Sequence, residues 1–199
     1  MDVAHSEWLT ANGPKRSDLT IREKLPVHAF EGRKTLQPHV LRVDGLVGRC
    51  LHLTVADLEQ LPQQDLSHDF TCLEGWTVPD VKWTGVLLEA ILLLAEPSPE
   101  ARYVQASAGE FGISLPRDVG LHALFAIRLA DSSLPLEHGG PVRLIVPGGE
   151  CFMNVKWLDH LELRRDPGSN TDETIALRRM AALKQGGSEK ISLTPQRRE

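Results

Sequence analysis

Asp69-Phe70-Thr71-Cys72-Leu73-Glu74-Gly75-Trp76, followed by Val81-Lys82-Trp83-Thr84-Gly85-Val86, is the stretch on which the reading of this chain turns. From Asp65 to Cys72 apolar and polar residues alternate, the period of a strand with one buried face. The strand delivers a single thiol into a glycine turn flanked by tryptophans. Such a setting suits a metal-ligating or nucleophilic sulfur, because the thiolate is the form that binds or attacks. A buried cysteine in isolation behaves as a small hydrophobe, so the meaning of Cys72 depends on what surrounds it.

Upstream, His39-Val40-Leu41-Arg42-Val43-Asp44 alternates, Gly45 turns it and Cys50-Leu51-His52-Leu53 alternates again, which predicts a strand pair. Thr54 caps a short helix over residues 55–61, with Asp57 in the capping-box position and Pro62 as the stop. Downstream, residues 87–95 form the most apolar helix, greasy enough all round to be expected inside, and Glu96-Pro97-Ser98-Pro99 ends it. Residues 103–107 and 113–116 read as a hairpin on Gly109-Glu110-Phe111-Gly112. Residues 123–130 alternate incompletely before Asp131-Ser132-Ser133. His138-Gly139-Gly140-Pro141 leads into Val142-Arg143-Leu144-Ile145-Val146-Pro147, a β-branched run suited to a central strand. Residues 155–163 alternate and close the core. Many short strands with a few helices predict an α+β fold with a mixed or antiparallel sheet.

The 199 residues, 41% hydrophobic and 25% charged, describe an ordinary globular domain. At this length roughly 70% of the unfolded surface is buried on folding, enough for an internal cofactor pocket. Residues 1–18 are a polar arm containing Asn12-Gly13-Pro14, residues 19–165 the body, and residues 166–199 a charged extension. In that extension a linker at Pro167-Gly168-Ser169-Asn170 precedes an amphipathic helix over 171–185 and a tail. A net charge of −5 carries no footprint for nucleic acid. Three widely spaced cysteines, Cys50, Cys72 and Cys151, suggest neither a disulfide framework nor a zinc site. Thiols that stay reduced, and an N-terminus without a basic segment leading an apolar run, predict a cytoplasmic protein. The longest apolar run, residues 86–95, is broken by Glu89 and too short to span a bilayer.

Laid along the chain, these segments resemble the sulfite-oxidase-type molybdopterin-dependent oxidoreductases, in particular their small stand-alone bacterial branch. Leu41-Arg42-Val43-Asp44-Gly45-Leu46 and Leu53-Thr54-Val55-Ala56-Asp57-Leu58 look like the family's paired strand and following helix. Cys72 with Gly75-Trp76 and Trp83-Thr84-Gly85-Val86 is similar to its metal-ligand motif. Ser114-Leu115-Pro116, the block Leu134-Pro135-Leu136-Glu137-His138-Gly139-Gly140-Pro141-Val142-Arg143 with Val146-Pro147-Gly148, and Val155-Lys156-Trp157-Leu158 follow in the family's order. The resemblance implies a molybdenum–molybdopterin cofactor (Moco) with Cys72 as metal ligand and catalytic residue. It implies oxygen-atom transfer, or related two-electron chemistry, with a small-molecule oxo donor or acceptor. Neither GxGxxG nor Cys-X-X-Cys-His occurs, so electrons are expected to pass to or from a separate partner.

The same resemblance brings Arg22 and Lys24 toward the cofactor and the His138 turn toward the pterin phosphate. Arg143 and Lys156 supply cations of the kind that a phosphate and an anionic dithiolene require. Trp76 and Trp83 are read as core residues framing the thiol, and Cys50 and Cys151 as structural. Glu23 and Lys24 depart from the family's usual run before the proline, as does Gly148-Gly149-Glu150-Cys151-Phe152-Met153-Asn154 from its glycine, basic and aromatic residues. Those departures keep open a non-catalytic pterin-binding or interaction module of the same fold. A cysteine hydrolase built on Cys72 would need a positioned histidine, with His68 and His138 present as candidates.

Overall fold

The computed structural model describes residues 24–27 and 39–184; the N-terminal arm, Arg22, Glu23 and the C-terminal tail lie outside the described residues. Strands β1 (Val40–Gly45), β2 (Leu51–Thr54), β5 (Tyr103–Ala108), β6 (Phe111–Pro116) and β10 (His160–Arg164) form one sheet in the order β2-β1-β10-β5-β6. Within it β1 and β10 are parallel, with Arg42 opposite His160, and the other pairs are antiparallel. The second sheet is β3 (Gln63–Thr71), β4 (Thr77–Leu87), β7 (Leu124–Leu129) and β8 (Ser132–Ser133) in that order, all antiparallel, with β9 (Arg143–Ile145) also on β7. Helices α1 (Val55–Gln60), α2 (Leu88–Ala95), α3 (Arg117–Gly120) and α4 (Thr171–Lys184) complete the α+β architecture, as the alternation of the sequence predicts.

Local chemistry accounts for the predicted elements that form. Thr54 accepts a hydrogen bond from the Asp57 backbone N–H at 3.2 Å, while the Asp57 carboxylate accepts from the Thr54 N–H at 2.8 Å, a complete capping box at the start of α1. In α2 the buried residues are Leu88, Ile91, Leu92 and Ala95, one stripe at helical spacing. Leu93 is 77% exposed, so this helix is half-buried and not enclosed as its composition suggests.

Strand β7 of the second sheet packs into both cores. Phe125 and Ile127 join the larger core with Leu41, Val43, Leu161 and α2, whereas Leu124, Ala126 and Leu129 join a second cluster with Phe70, Val81 and Trp83. Burial on both faces is one reason the sequence alternation of this segment is incomplete. The other is a bulge: Ala126 pairs with Gly85 and Arg128 with Thr84, so Ile127 has no opposite residue and parity shifts beyond it. Trp83, fully buried, packs against Phe70 with ring centroids 6.3 Å apart. Burying a side chain of this size contributes on the order of 2–3 kcal/mol.

The Val81–Val86 stretch, to which the sequence pattern assigns no element, lies within the 11-residue strand β4; Pro79, Asp80 at φ 51° and the bulge opposite His68–Phe70 break up its sequence pattern. Two expectations are corrected. Residues 155–163 are a strand only from His160, because Trp157 at φ 56° turns the chain beforehand. The run 142–147 contributes only Arg143–Ile145 to a strand, and its one pairing is to β7, so it is not central.

Candidate functional site

Cys72 immediately follows β3, at the start of the turn to β4. Its N–H donates to the Trp76 carbonyl at 3.0 Å and its carbonyl accepts from the Gly75 N–H at 3.0 Å. Gly75 sits at φ +89°, a conformation glycine adopts without steric cost. This hairpin turn aims the half-buried thiol into a cavity of about 260 Å³. Burial, partly opposed by the Glu74 backbone N–H, pushes the thiol up to about 11, which favours its protonated form. Phe70 stacks on Trp76 at 5.9 Å and gives the pocket an aromatic wall beside the sulfur.

A second thiol meets the first. Cys151 lies on the 3-10 turn Cys151–Met153, and its Sγ is 3.5 Å from the Cys72 Sγ, with the Cys151 thiol donating. It therefore belongs to the pocket lining and is not merely a core residue as expected.

Two cations face the same cavity. Arg143, 5% exposed, donates from Nη1 to the His138 carbonyl at 3.0 Å and lies 5.1 Å from the centroids of both Phe70 and Trp83. Burial lowers its pKa to about 10, and its buried Nε has no hydrogen-bond partner among the described residues. Lys156 is lowered further, to about 7, first by burial and then by the neighbouring Arg143 charge. Its amine lies 5.6 Å over the Trp157 ring, and Trp157 Nε1 donates to the Leu136 carbonyl at 2.7 Å. Gly139 permits this close packing: at φ +98° it is left-handed, and a Cβ there would stand 2.7 Å from the Lys156 Cγ.

A buried guanidinium with an orphaned N–H, a lysine amine and a thiol in one cavity, which Glu74 and Asp172 also line, form a donor set that fits an anionic, phosphate-bearing group carrying a thiophilic metal. Among the described residues no cluster of three or more His, Cys, Asp or Glu is placed to hold a metal ion. A metal at Cys72 must therefore bring most of its own ligands, which fits a chelated metal.

Of the residues singled out from sequence, Cys72, His138, Arg143 and Lys156 line this cavity together. Lys24 is half-buried beside Leu25 and Pro26, which line it, but is not itself in the lining. Arg22 lies outside the described residues, and His68 on β3 is not part of the cavity. Sequence reasoning missed Cys151 and the contribution of α4, whose Ile175, Ala176, Arg179 and Met180 form another wall. The available signals were the position of Cys151 five residues before Lys156 and the apolar spacing of Ile175, Ala176 and Met180.

Comparison with known proteins bears on the family and the fold. The crystal structure of the sulfane dehydrogenase SoxCD from Paracoccus pantotrophus is similar to this chain at TM-score 0.62 and 27% identity, over 66% of this chain and 39% of that one. The chain thus spans about two fifths of the length of that protein. Among the described residues no helix is long and apolar enough to cross a membrane. Residues 27–171, well over half of the chain, match the oxidoreductase molybdopterin binding domain, and the chain belongs to that family.

Proposed function

We propose that this chain is a molybdenum cofactor-dependent oxidoreductase that uses Cys72 as the single protein ligand of the metal. Its substrate is a small-molecule oxo donor or acceptor, and it acts in the cytoplasm with a separate electron-transfer partner. The observation that carries this reading is the convergence of the Cys72 thiol with the Arg143 and Lys156 cations on one cavity.

When bound, the cofactor supplies two-electron redox chemistry at a metal softened by thiolate and dithiolene sulfur. The chain's own residues bind and orient it. Cys72, whose burial raises its pKa to about 11, must lose its proton to ligate a metal, so loading would release a proton. Arg143, fixed between Phe70 and Trp83, offers its unpaired Nε to an anionic oxygen. Lys156, near half-protonation at neutral pH, gains a proton as an anion arrives and can return one at its Nζ. Phe70 and Trp76 exclude water from the thiol side.

The test is molybdenum and pterin content of protein purified from a molybdenum-replete host, with Cys72→Ser alongside. Near-stoichiometric metal with a fluorescent pterin oxidation product, the metal lost in a folded Cys72→Ser protein, is the expected result. A folded wild-type protein containing neither, from a host that loads a related enzyme, overturns the proposal in favour of a non-catalytic module.

A further inference from the structure

We propose that Cys72 and Cys151 are a reversible dithiol–disulfide couple inside the pocket, closed by a hydroperoxide or a low-molecular-weight disulfide. The two sulfurs lie 3.5 Å apart. A disulfide is about 2.0 Å long, so closure requires a relative movement of about 1.5 Å. The segment that must give is built to allow it. Cys151 begins a three-residue 3-10 turn shortly after Gly148, which sits at φ +72° with open space where its Cβ would be, whereas Gly149 packs against Val146 and Met153. Cys72 is held on the opposite side by a hairpin turn. Both thiols are half-buried and line a cavity wide enough for a small oxidant. The third thiol, Cys50, is exposed just before β2 in the other sheet and takes no part.

With a hydroperoxide the chemistry balances in two steps. One thiolate attacks the peroxide oxygen, the O–O bond breaks, and a sulfenic acid and one alcohol or water form. The second thiol attacks that sulfur, the S–O bond breaks, and its proton leaves with the oxygen as water. Two electrons pass from the sulfurs to the peroxide. With a small disulfide the same two electrons reduce the reagent to two thiols through a mixed disulfide. Either route is reversed by a dithiol reductant.

A consequence, which rests on the proposed function, is competition for one sulfur. Cys72 locked in a disulfide has no thiolate for a metal, and Cys72 bound to a metal is protected from oxidation. Oxidation of the empty protein therefore blocks loading until a reductant reopens the pair.

The experiment uses full-length protein from a host unable to make the pterin, treated with hydrogen peroxide or glutathione disulfide and mapped by mass spectrometry without reduction. Expected are a Cys72–Cys151 cross-linked peptide, loss of two alkylatable thiols, and recovery with dithiothreitol. A Cys50→Ser protein should behave identically. Cys151→Ser should leave Cys72 as a sulfenic acid or glutathione adduct, and the wild-type map decides the matter without it. Two thiols still alkylatable, or an oxidised Cys72 beside a free Cys151, overturns the couple. None of these readouts needs molybdenum, so they stand apart from the cofactor proposal. In loaded protein the cross-link should form at least tenfold more slowly; equal rates would uphold the couple and refute Cys72 as the metal ligand.

Discussion

Glu74 and Arg179 form a 2.8 Å ion pair that ties the turn presenting Cys72 to helix α4, the wall across the pocket. Glu74 also accepts from Trp76 Nε1 at 3.3 Å, so one carboxylate braces both the aromatic wall and the helix. Arg179 is about half exposed, and such a pair contributes less than about 1 kcal/mol. Arg179→Ala should therefore lower the melting temperature by no more than about 4 °C. Its larger effect should be on access: alkylation of Cys72 by iodoacetamide should speed up several-fold. An unchanged alkylation rate would show that α4 does not guard the thiol.

Lys156 makes a pH prediction whose sign follows from its lowered pKa. Between about pH 7 and the ordinary lysine value near 10.4 the unfolded chain carries a proton on this amine that the folded, cofactor-free protein lacks. Stability from this group therefore rises with pH across that window. Cys72 acts in the opposite direction, but only above its unfolded value near 9. From pH 6.5 to 8.5 the wild type should thus gain stability relative to Lys156→Met, read by thermal melts of both proteins. Parallel melting curves at the two pH values would contradict the burial of this amine.

Arg143 should be the most costly of the pocket cations to alter. Arg143→Lys retains a charge but loses the Nη1 donor to the buried His138 carbonyl and the fork held between two rings. Losing that charged hydrogen bond costs about 1.5–3 kcal/mol, so the urea midpoint should fall with an unchanged slope. Pterin content after expression in a loading host should drop about tenfold, the equivalent of about 1.4 kcal/mol. A full complement of pterin in the lysine variant would exclude Arg143 from the binding of that group.

How much of this was legible in the sequence depended on whether the deciding interaction is local. The Thr54–Asp57 capping box, the hairpin of β5 and β6, and the turn that presents Cys72 are each set within a few residues, and sequence pattern finds them. The parallel pairing of Arg42 with His160 joins distant ends of the domain, and nothing in either strand specifies it. Strand β4 was hidden because Pro79 and Gly85 are read as breakers, although both are accommodated within the strand. At the site, Arg143 and Lys156 stand out as cations within segments that resemble the family's blocks. Cys151 did not, because its meeting with Cys72 is made by packing across 79 positions of sequence. Helix α4 reads as a charged amphipathic helix, and only the fold shows that its apolar side faces a cavity.

The last prediction concerns what holds α4 in place. Strand β6 is the edge of its sheet, and edge strands leave a row of backbone donors without partners. Here the Ser114 N–H donates to Asn170 Oδ1 at 2.7 Å and the Gly112 N–H to Thr171 Oγ1 at 2.9 Å, while Thr171 Oγ1 donates to the Glu110 carbonyl. The residues at the start of α4 thus complete the edge and anchor the helix in one arrangement. Replacing both, Asn170→Ala with Thr171→Val, removes these partners at about 1 kcal/mol each. Hydrogen exchange at Gly112 and Ser114 should accelerate, whereas exchange at β10, inside the sheet, should not. If α4 depends on this anchor, Cys72 should also become as open to alkylation as in Arg179→Ala, although neither substitution touches the pocket. Faster exchange at β6 with an unchanged Cys72 would separate edge protection from pocket closure and leave the Glu74–Arg179 pair as the tether that matters.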